Sequence, residues 1–179
     1  GLVGSEMCIR DSLIKIFERV LRKHIVAHME SNSFLSPNQH GFRKKRSCLT
    51  QLLDHVDTIL KTLNNGEEVD VIYLDYAKAF DKVDHKILLA KARRYGISGQ
   101  TLRWLTEFLG NRLQTVVVEG TKSSFSLVLS GVPQGTVLGP TLWNLFYEDA
   151  RHSLNNWFFR EVVYADDLNG FRIFGLDVS

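Results

Sequence analysis

Cysteine is nearly absent from this chain. Cys8 and Cys48 are too few for a disulfide framework and form no CxxC pair of the kind that binds zinc. A reducing compartment is therefore the default. Proline occurs only at Pro37, Pro133 and Pro140, so no proline-rich linker divides the chain. No apolar run approaches the roughly 20 residues that cross a bilayer as a helix, which excludes a membrane-spanning helix. Internal repeats are lacking too. The 179 residues are 44% hydrophobic and 23% charged, which excludes disordered and low-complexity classes. That length suits one ordinary domain or part of a larger one.

The net charge of +2 is small, but the charges are sorted along the chain. Residues 13–62 hold nine Lys/Arg against four Asp/Glu, whereas residues 116–179 hold four against seven. A basic N-terminal third and an acidic C-terminal third suit a polyanion at one place and a cation at another. Ordinary solvated faces would give the same counts.

The first dozen residues, GLVGSEMCIRDS, show no clear period and no signal-peptide layout, and are expected to be a non-native leader outside the fold. Phe17, Val20, Leu21, His24, Ile25 and His28 form a helical stripe over residues 13–30. Residues 34–46 read as loop or extended chain. Leu49, Leu52, Leu53, Val56, Leu60 and Leu63 recur at helical spacing up to the Asn64-Asn65-Gly66 stop. Residues 69–74 read as a buried strand. Asp84 and Gly96 bracket one helix, and Ser98 and Gly110 bracket another through Leu102, Leu105 and Leu109. Residues 114–119 and 125–129 suggest a hairpin turning at Gly120-Thr121-Lys122. Pro140 suits the first turn of a helix reaching about Leu154. A last hairpin turns at Asp166-Asp167. Helices and strands do not alternate regularly, so the fold class is α+β with an antiparallel sheet.

Three stations carry chemistry. Asp75 ends the apolar strand in VIYLDYAKAFD, where a buried carboxylate would need a partner; a helix N-cap is the other reading. Asp166 and Asp167 in VVYADDL repel one another and call for a cation, although Asp-Asp is also ordinary turn chemistry. In GVPQGTVLGP, Gly131, Gly135 and Gly139 permit close backbone approach, and Gln134 offers both donors and an acceptor. Together the stations point one way. Carboxylates from neighbouring strands suit Mg²⁺, which takes few protein ligands and keeps positions for substrate phosphates. Two such ions, roughly 3.5–4 Å apart, can serve the attacking and leaving oxygens of a phosphoryl transfer.

These residues resemble the reverse transcriptases of non-LTR (LINE-type) retrotransposons. The resemblance spans roughly residues 13–174 and is carried by QHGFRKKRS, LDYAKAFDKVDH, YGISGQTLRWLTEFLGNRLQTVVVEG, SGVPQGTVLGP and YADD, in the family's order. It implies the fingers and palm of a right-hand polymerase, with fingers over residues 13–66 and palm over residues 67–179, cut after the YADD hairpin with the thumb absent. It implies RNA-directed DNA synthesis with an RNA template, a DNA primer, dNTPs and two Mg²⁺ ions, Mn²⁺ being a substitute. It implies an intracellular enzyme, nuclear for a eukaryotic element, with no membrane partner.

By resemblance, Asp75 and Asp166 match the metal-binding aspartates, Asp167 the third catalytic carboxylate and the Tyr76 carbonyl a metal-side position. Ala79, Phe80, Gln134 and Gly135 match nucleotide-binding positions, with Phe80 as the gate against a ribose 2′-hydroxyl. Arg43 resembles the arginine that grips the triphosphate, and Lys44, Lys45 and Arg46 would touch template or primer. Phe80 lies five residues after Asp75, where a bulky ring can sit beside a sugar; core packing is the alternative. His24, His28, Trp104, Trp143 and Trp157 read as packing residues, and Cys48 as a small buried hydrophobe. Glu148, Trp143, Thr136 and Leu168 depart from the usual family residues. A non-catalytic nucleic-acid-binding remnant and a group II intron or retron-type enzyme are the competing readings.

Overall fold

The computed structural model describes residues 5–150 and 159–175, with side chains from residue 13 onward. In chain order the elements are α1 (Ser5–Ser31), α2 (Cys48–Asn64), β1 (Glu68–Leu74), a 3₁₀ turn (Phe80–Lys82), α3 (His85–Arg94), α4 (Gly99–Leu109), β2 (Leu113–Gln114), β3 (Val117–Val118), β4 (Thr121–Lys122), β5 (Ser126–Leu127), α5 (Gly139–Tyr147), β6 (Arg160–Tyr164) and β7 (Asp167–Phe174). The α+β class with antiparallel sheets is found as expected. The chain divides into two compact units, one of Gly1–Asn32 with Lys78–Phe146, the other of Ser33–Ala77 with Tyr147–Ser179.

The first unit is mainly helical. α1 begins at Ser5, so it takes in residues 5–12 of the expected leader. Among its described side chains the buried ones are Glu18, Ile25 and Met29, whereas Phe17 and Val20 of the expected stripe are exposed. Phe17 meets the edge of Trp104, which in turn stacks on Phe108. His28 donates from Nε2 to the Tyr95 carbonyl at 2.7 Å, a packing role as expected. Gly96 has a φ of 84°, and a Cβ there would lie 3.2 Å from that ring. Both constraints explain a glycine after α3.

The expected side-chain cap is present at α3 and absent at α4. The Asp84 carboxylate accepts from Ile87 N at 2.9 Å and starts α3. Ser98 stands at the N-cap of α4 without a side-chain capping bond, so this start depends on packing of the buried Leu102, Leu105 and Leu109. The hairpin is the expected one with a different tip. β3 pairs with β4 around Glu119-Gly120, both at positive φ, and β2 pairs with β5 below them. Thr121 and Lys122 therefore belong to a strand, because the positive φ at Glu119 moves the turn one residue earlier than the glycine alone suggests. α5 starts at Gly139 and stops at Tyr147, short of the expected end; Leu154 and Trp157 lie outside the described residues.

The second unit is a three-stranded antiparallel sheet in the order β1-β7-β6 with α2 against it. β1 is an edge strand, with Tyr73 and Leu74 exposed, and not the buried strand that its apolar run suggests. α2 turns its polar stripe inward: Gln51, Thr58 and Thr62 are buried while Leu49, Leu52, Leu53, Val56, Leu60 and Leu63 are exposed. Hydrogen bonds and a ring contact serve much of the inward face. Thr58 and Thr62 hydroxyls donate to carbonyls one turn back, Arg160 donates to Asp54, and His55 packs edge-on to Phe171. Ser47 closes the helix start with a capping box through Thr50. Cys48 is exposed, contrary to its expected burial, because it occupies the first turn of α2.

Glu18 is the least expected core residue. It is 2% exposed, and its Oε2 accepts from Val137 N at 2.7 Å and Leu138 N at 3.0 Å, ahead of α5. Glu18→Ala would leave two amides without their charged acceptor. Urea unfolding should show a loss of about 2 kcal/mol, and an unchanged midpoint would show that these bonds contribute nothing.

Candidate functional site

The acidic cluster is built by the register of one sheet. β6 and β7 pair Tyr164 with Asp167, so Ala165 and Asp166 alone make the connecting turn. β1 pairs with β7 from Glu68↔Phe174 to Leu74↔Leu168. One step further, the same register brings Asp75 level with Asp167. Local chemistry thus places Asp75 beyond the end of an edge strand and Asp166 and Asp167 at the adjacent hairpin tip. Asp75 and Asp167 are exposed and Asp166 is half-buried. Residues 75 and 76 carry no helix, so Asp75 is not a helix N-cap.

The electrostatics show the strain of this arrangement. The Asp167 carboxyl is held above its usual range by desolvation first, then by the charges of Asp166 and Asp75. Among the described residues, no three His, Cys, Asp or Glu side chains enclose an ion. The donor set nevertheless fits a hard divalent cation. It consists of carboxylates that repel one another, and Mg²⁺ characteristically takes only one or two protein carboxylates. A cavity of about 320 Å³ beside it is lined by Asp75, Asp167, Tyr164, Tyr73, Asn169 and Gln51, among others.

Tyr76 is anchored next to this cluster. Its ring meets Tyr147 edge-on at 5.9 Å, and the Tyr147 phenol is pushed far above its ordinary value by burial, with Tyr76, Glu161 and Glu148 adding to the shift. Glu148, a departure from the family pattern, is buried and accepts from Ser36 N at 2.8 Å. Arg43 donates from Nη1 to the carbonyls of Leu35 and Ser36. Lys44 and Lys45 are exposed. Arg46 donates to Nε2 of the buried His40 at 3.3 Å. His40 is held below its usual pKa by burial first and then by Arg46 and Arg43, with Asp54 opposing.

The other unit holds the remaining expected residues. Phe80 stacks on the buried Trp143 at 5.0 Å, and Ala79 is buried. The loop bearing Gln134 is strapped to the turn bearing Phe80. Val132 N donates to Phe80 O, Gly131 N to Val83 O, and Gln134 Nε2 to Asp81 Oδ1 at 2.9 Å. Gly131 has a φ of 89°, and a Cβ there would lie 2.8 Å from Asp81 O, so close approach requires glycine. Gly135 also has positive φ, facing open space. A cavity of about 600 Å³ opens here, lined in part by Lys78, Asp81, Arg112, Gln114 and Gln134.

Sequence reasoning missed Gln39 and Glu18. Gln39 sits inside the quoted QHGFRKKRS motif, and its small polar neighbours gave no sign of burial. Glu18 lies on a helix among charged residues, so no pattern marked it as buried.

The family described as "Reverse transcriptase (RNA-dependent DNA polymerase)" matches residues 7–171. The chain is 34% identical over 162 residues to the RNA-directed DNA polymerase from mobile element jockey of Drosophila funebris, covering 88% of this chain and 18% of that protein. It is 30% identical over 168 residues to the probable RNA-directed DNA polymerase from transposon BS of Drosophila melanogaster, with the same coverage. The chain thus spans under a fifth of the length of these relatives. Among solved structures, telomerase from Candida albicans, in complex with a fragment of telomeric RNA, superposes with a TM-score of 0.61 at 14% identity, covering 86% of this chain and 30% of that one.

The raised Asp167 pKa has a definite sign. Ionising this carboxylate costs the folded state more than the unfolded one, so stability falls as pH rises through the shifted pKa. Removing the first charged neighbour should lower that pKa. Carboxyl ¹³C titration of Asp166→Asn should find the Asp167 midpoint below that of the wild type; an unmoved midpoint would show that the two carboxylates do not interact.

Proposed function

The chain belongs to the reverse transcriptase family, and from that premise we propose that it is the nucleotidyl-transfer region of a non-LTR retrotransposon RNA-directed DNA polymerase. One observation carries the reading: the sheet register brings Asp75 beside the Asp166-Asp167 tip, where desolvation and then the neighbouring carboxylates raise the pKa of Asp167. Clustered like charges of this kind are relieved by protonation or by a bound cation. The partners follow from the activity: an RNA template, a DNA primer and dNTPs. A nuclear site of action is part of the proposal for a eukaryotic element. No described helix is long and apolar enough to cross a membrane.

Asp75 and Asp166, with the Tyr76 carbonyl, would hold Mg²⁺, and Asp167 would face the primer end. When bound, Mg²⁺ would offset charge on the triphosphate and on the primer 3′-oxygen. The primer 3′-hydroxyl would give its proton to water as its oxygen bonds to the α-phosphorus, the bond to the bridging oxygen would break, and pyrophosphate would leave. Arg43 would bind triphosphate oxygens, and Lys44, Lys45 and Arg46 the nucleic-acid backbone. Phe80, with Ala79 beside it, would exclude a 2′-hydroxyl by volume, its ring fixed by Trp143. Gln134 and Gly135 would lie against the incoming nucleotide. In this reading the fingers and palm of a right-hand polymerase correspond to residues 13–66 and 67–179.

Two substitutions test the reading. Asp166→Asn should abolish Mg²⁺-dependent primer extension on an RNA template in the complete element protein, and should remove the Mg²⁺-induced rise in Tm of this chain. Full activity in that variant would overturn the metal assignment. Phe80→Ala should raise ribonucleotide incorporation relative to deoxyribonucleotide severalfold; an unchanged ratio would reduce Phe80 to a packing partner of Trp143.

A further inference from the structure

The turn that carries Asp166 is under backbone constraint. Ala165 is 5% exposed and has a φ of 58°, a region that L-residues other than Asn and Asp visit rarely. Such a conformation is strained and persists only where its surroundings over-determine it. Here those surroundings come from the segment around Gln39. His40 N donates to Val163 O at 2.7 Å and Val163 N donates to Asn38 O at 3.0 Å, so residues 38–40 add a short parallel bridge to β6. Gly41 then passes against the turn itself. A Cβ at Gly41 would lie 2.3 Å from Ala165 N, so only glycine allows this approach.

The geometry assigns Gln39 as a positioning residue whose carboxamide clamps the Ala165 peptide groups and thereby fixes the turn that presents Asp166. Its Oε1 accepts from Ala165 N at 2.8 Å and from Gly41 N at 2.7 Å, while its Nε2 donates to Ala165 O at 3.0 Å. The side chain is 3% exposed, so these bonds do not compete with bulk water. Only an amide offers an acceptor and a donor at the same end of a side chain of this length without charge. Glutamate would keep the acceptor and lose the donor, and would add a fourth negative charge near Asp166 and Asp167. An aliphatic side chain would leave a buried N–H and a buried carbonyl unserved. The clamp holds a strained turn against carboxylate repulsion, so the consequence for chemistry is preorganisation of the Asp166 carboxylate. That consequence rests on the polymerase reading; the clamp itself does not.

The test therefore has one readout on each. Amide hydrogen exchange by NMR on this chain reports the clamp without any activity. In the wild type, Ala165 N–H should exchange at least tenfold more slowly than an unprotected amide; free exchange there overturns the clamp before any variant is made. In Gln39→Met, of similar length and without polar atoms at its end, that protection should fall tenfold or more while Leu105 N–H in α4 is unchanged. In Gln39→Glu, which retains the acceptor, protection should persist. Loss in both variants, or in neither, overturns the assignment. If Gln39→Met does not fold, the wild type and Gln39→Glu still decide it. In the complete element protein, Gln39→Glu and Gln39→Met should each raise the Mg²⁺ concentration for half-maximal primer extension severalfold with the KM for dNTP unchanged. An unmoved Mg²⁺ dependence with lost protection overturns the positioning role. A wild type that extends no primer overturns the polymerase reading instead, and leaves the exchange result standing.

Discussion

Carboxylates that repel one another must be held together by something other than themselves. In the second unit that something is backbone register. Asp75 sits beyond the last pair of β1 and β7, and Asp166 and Asp167 sit at the tip of β6 and β7, so three negative charges meet because two antiparallel ladders end at the same level. The ladders are in turn held by α2, whose inward stripe is polar and aromatic, with Asp54 bound by Arg160 and His55 against Phe171. A sheet that slipped by one residue would exchange the two faces of β7, take Leu168 and Phe171 from their buried sites, and separate Asp75 from Asp167. Burial of those side chains therefore maintains an electrostatically unfavourable cluster.

The first unit solves a different problem: holding a glycine-rich loop in one conformation. Glycines at 131, 135 and 139 permit close approach but contribute little rigidity of their own. Rigidity comes from outside the loop. Glu18 receives the amides of Val137 and Leu138, and His85 donates from Nε2 to Gly131 O at 2.8 Å. Backbone bonds from Gly131 and Val132 tie the loop to the Phe80 turn. In both units, then, a catalytically suggestive segment is fixed by a buried polar side chain from a distant part of the chain: Gln39 for the aspartate turn and Glu18 for the loop.

What could be read in the sequence follows from the range of the forces involved. Asp84 and Gly96 were legible because capping and positive φ act within a few residues. The YADD hairpin and the loop beginning at Gly131 were legible because motif and turn chemistry are local as well. The direction in which α2 faces was not. Its leucines obey a helical period, yet the tertiary partners of Asp54, His55 and Thr58 decided which face turned inward. The apolar run of β1 likewise says strand, but whether a strand is central or at an edge depends on pairing that no local pattern encodes. Gln39 and Glu18 escaped for the same reason: a polar residue reveals its burial only through partners more than 100 positions away.

On the proposed reading, Asp75 and Asp166 together hold a divalent cation. Crystals of this chain soaked in Mn²⁺ and measured at the manganese absorption edge test it most directly. The anomalous difference map should place a peak between the Asp75 and Asp166 carboxylates, and the peak should be missing from crystals of Asp166→Asn soaked alike. Manganese bound elsewhere on the wild-type chain, with nothing at those carboxylates, would contradict the claim.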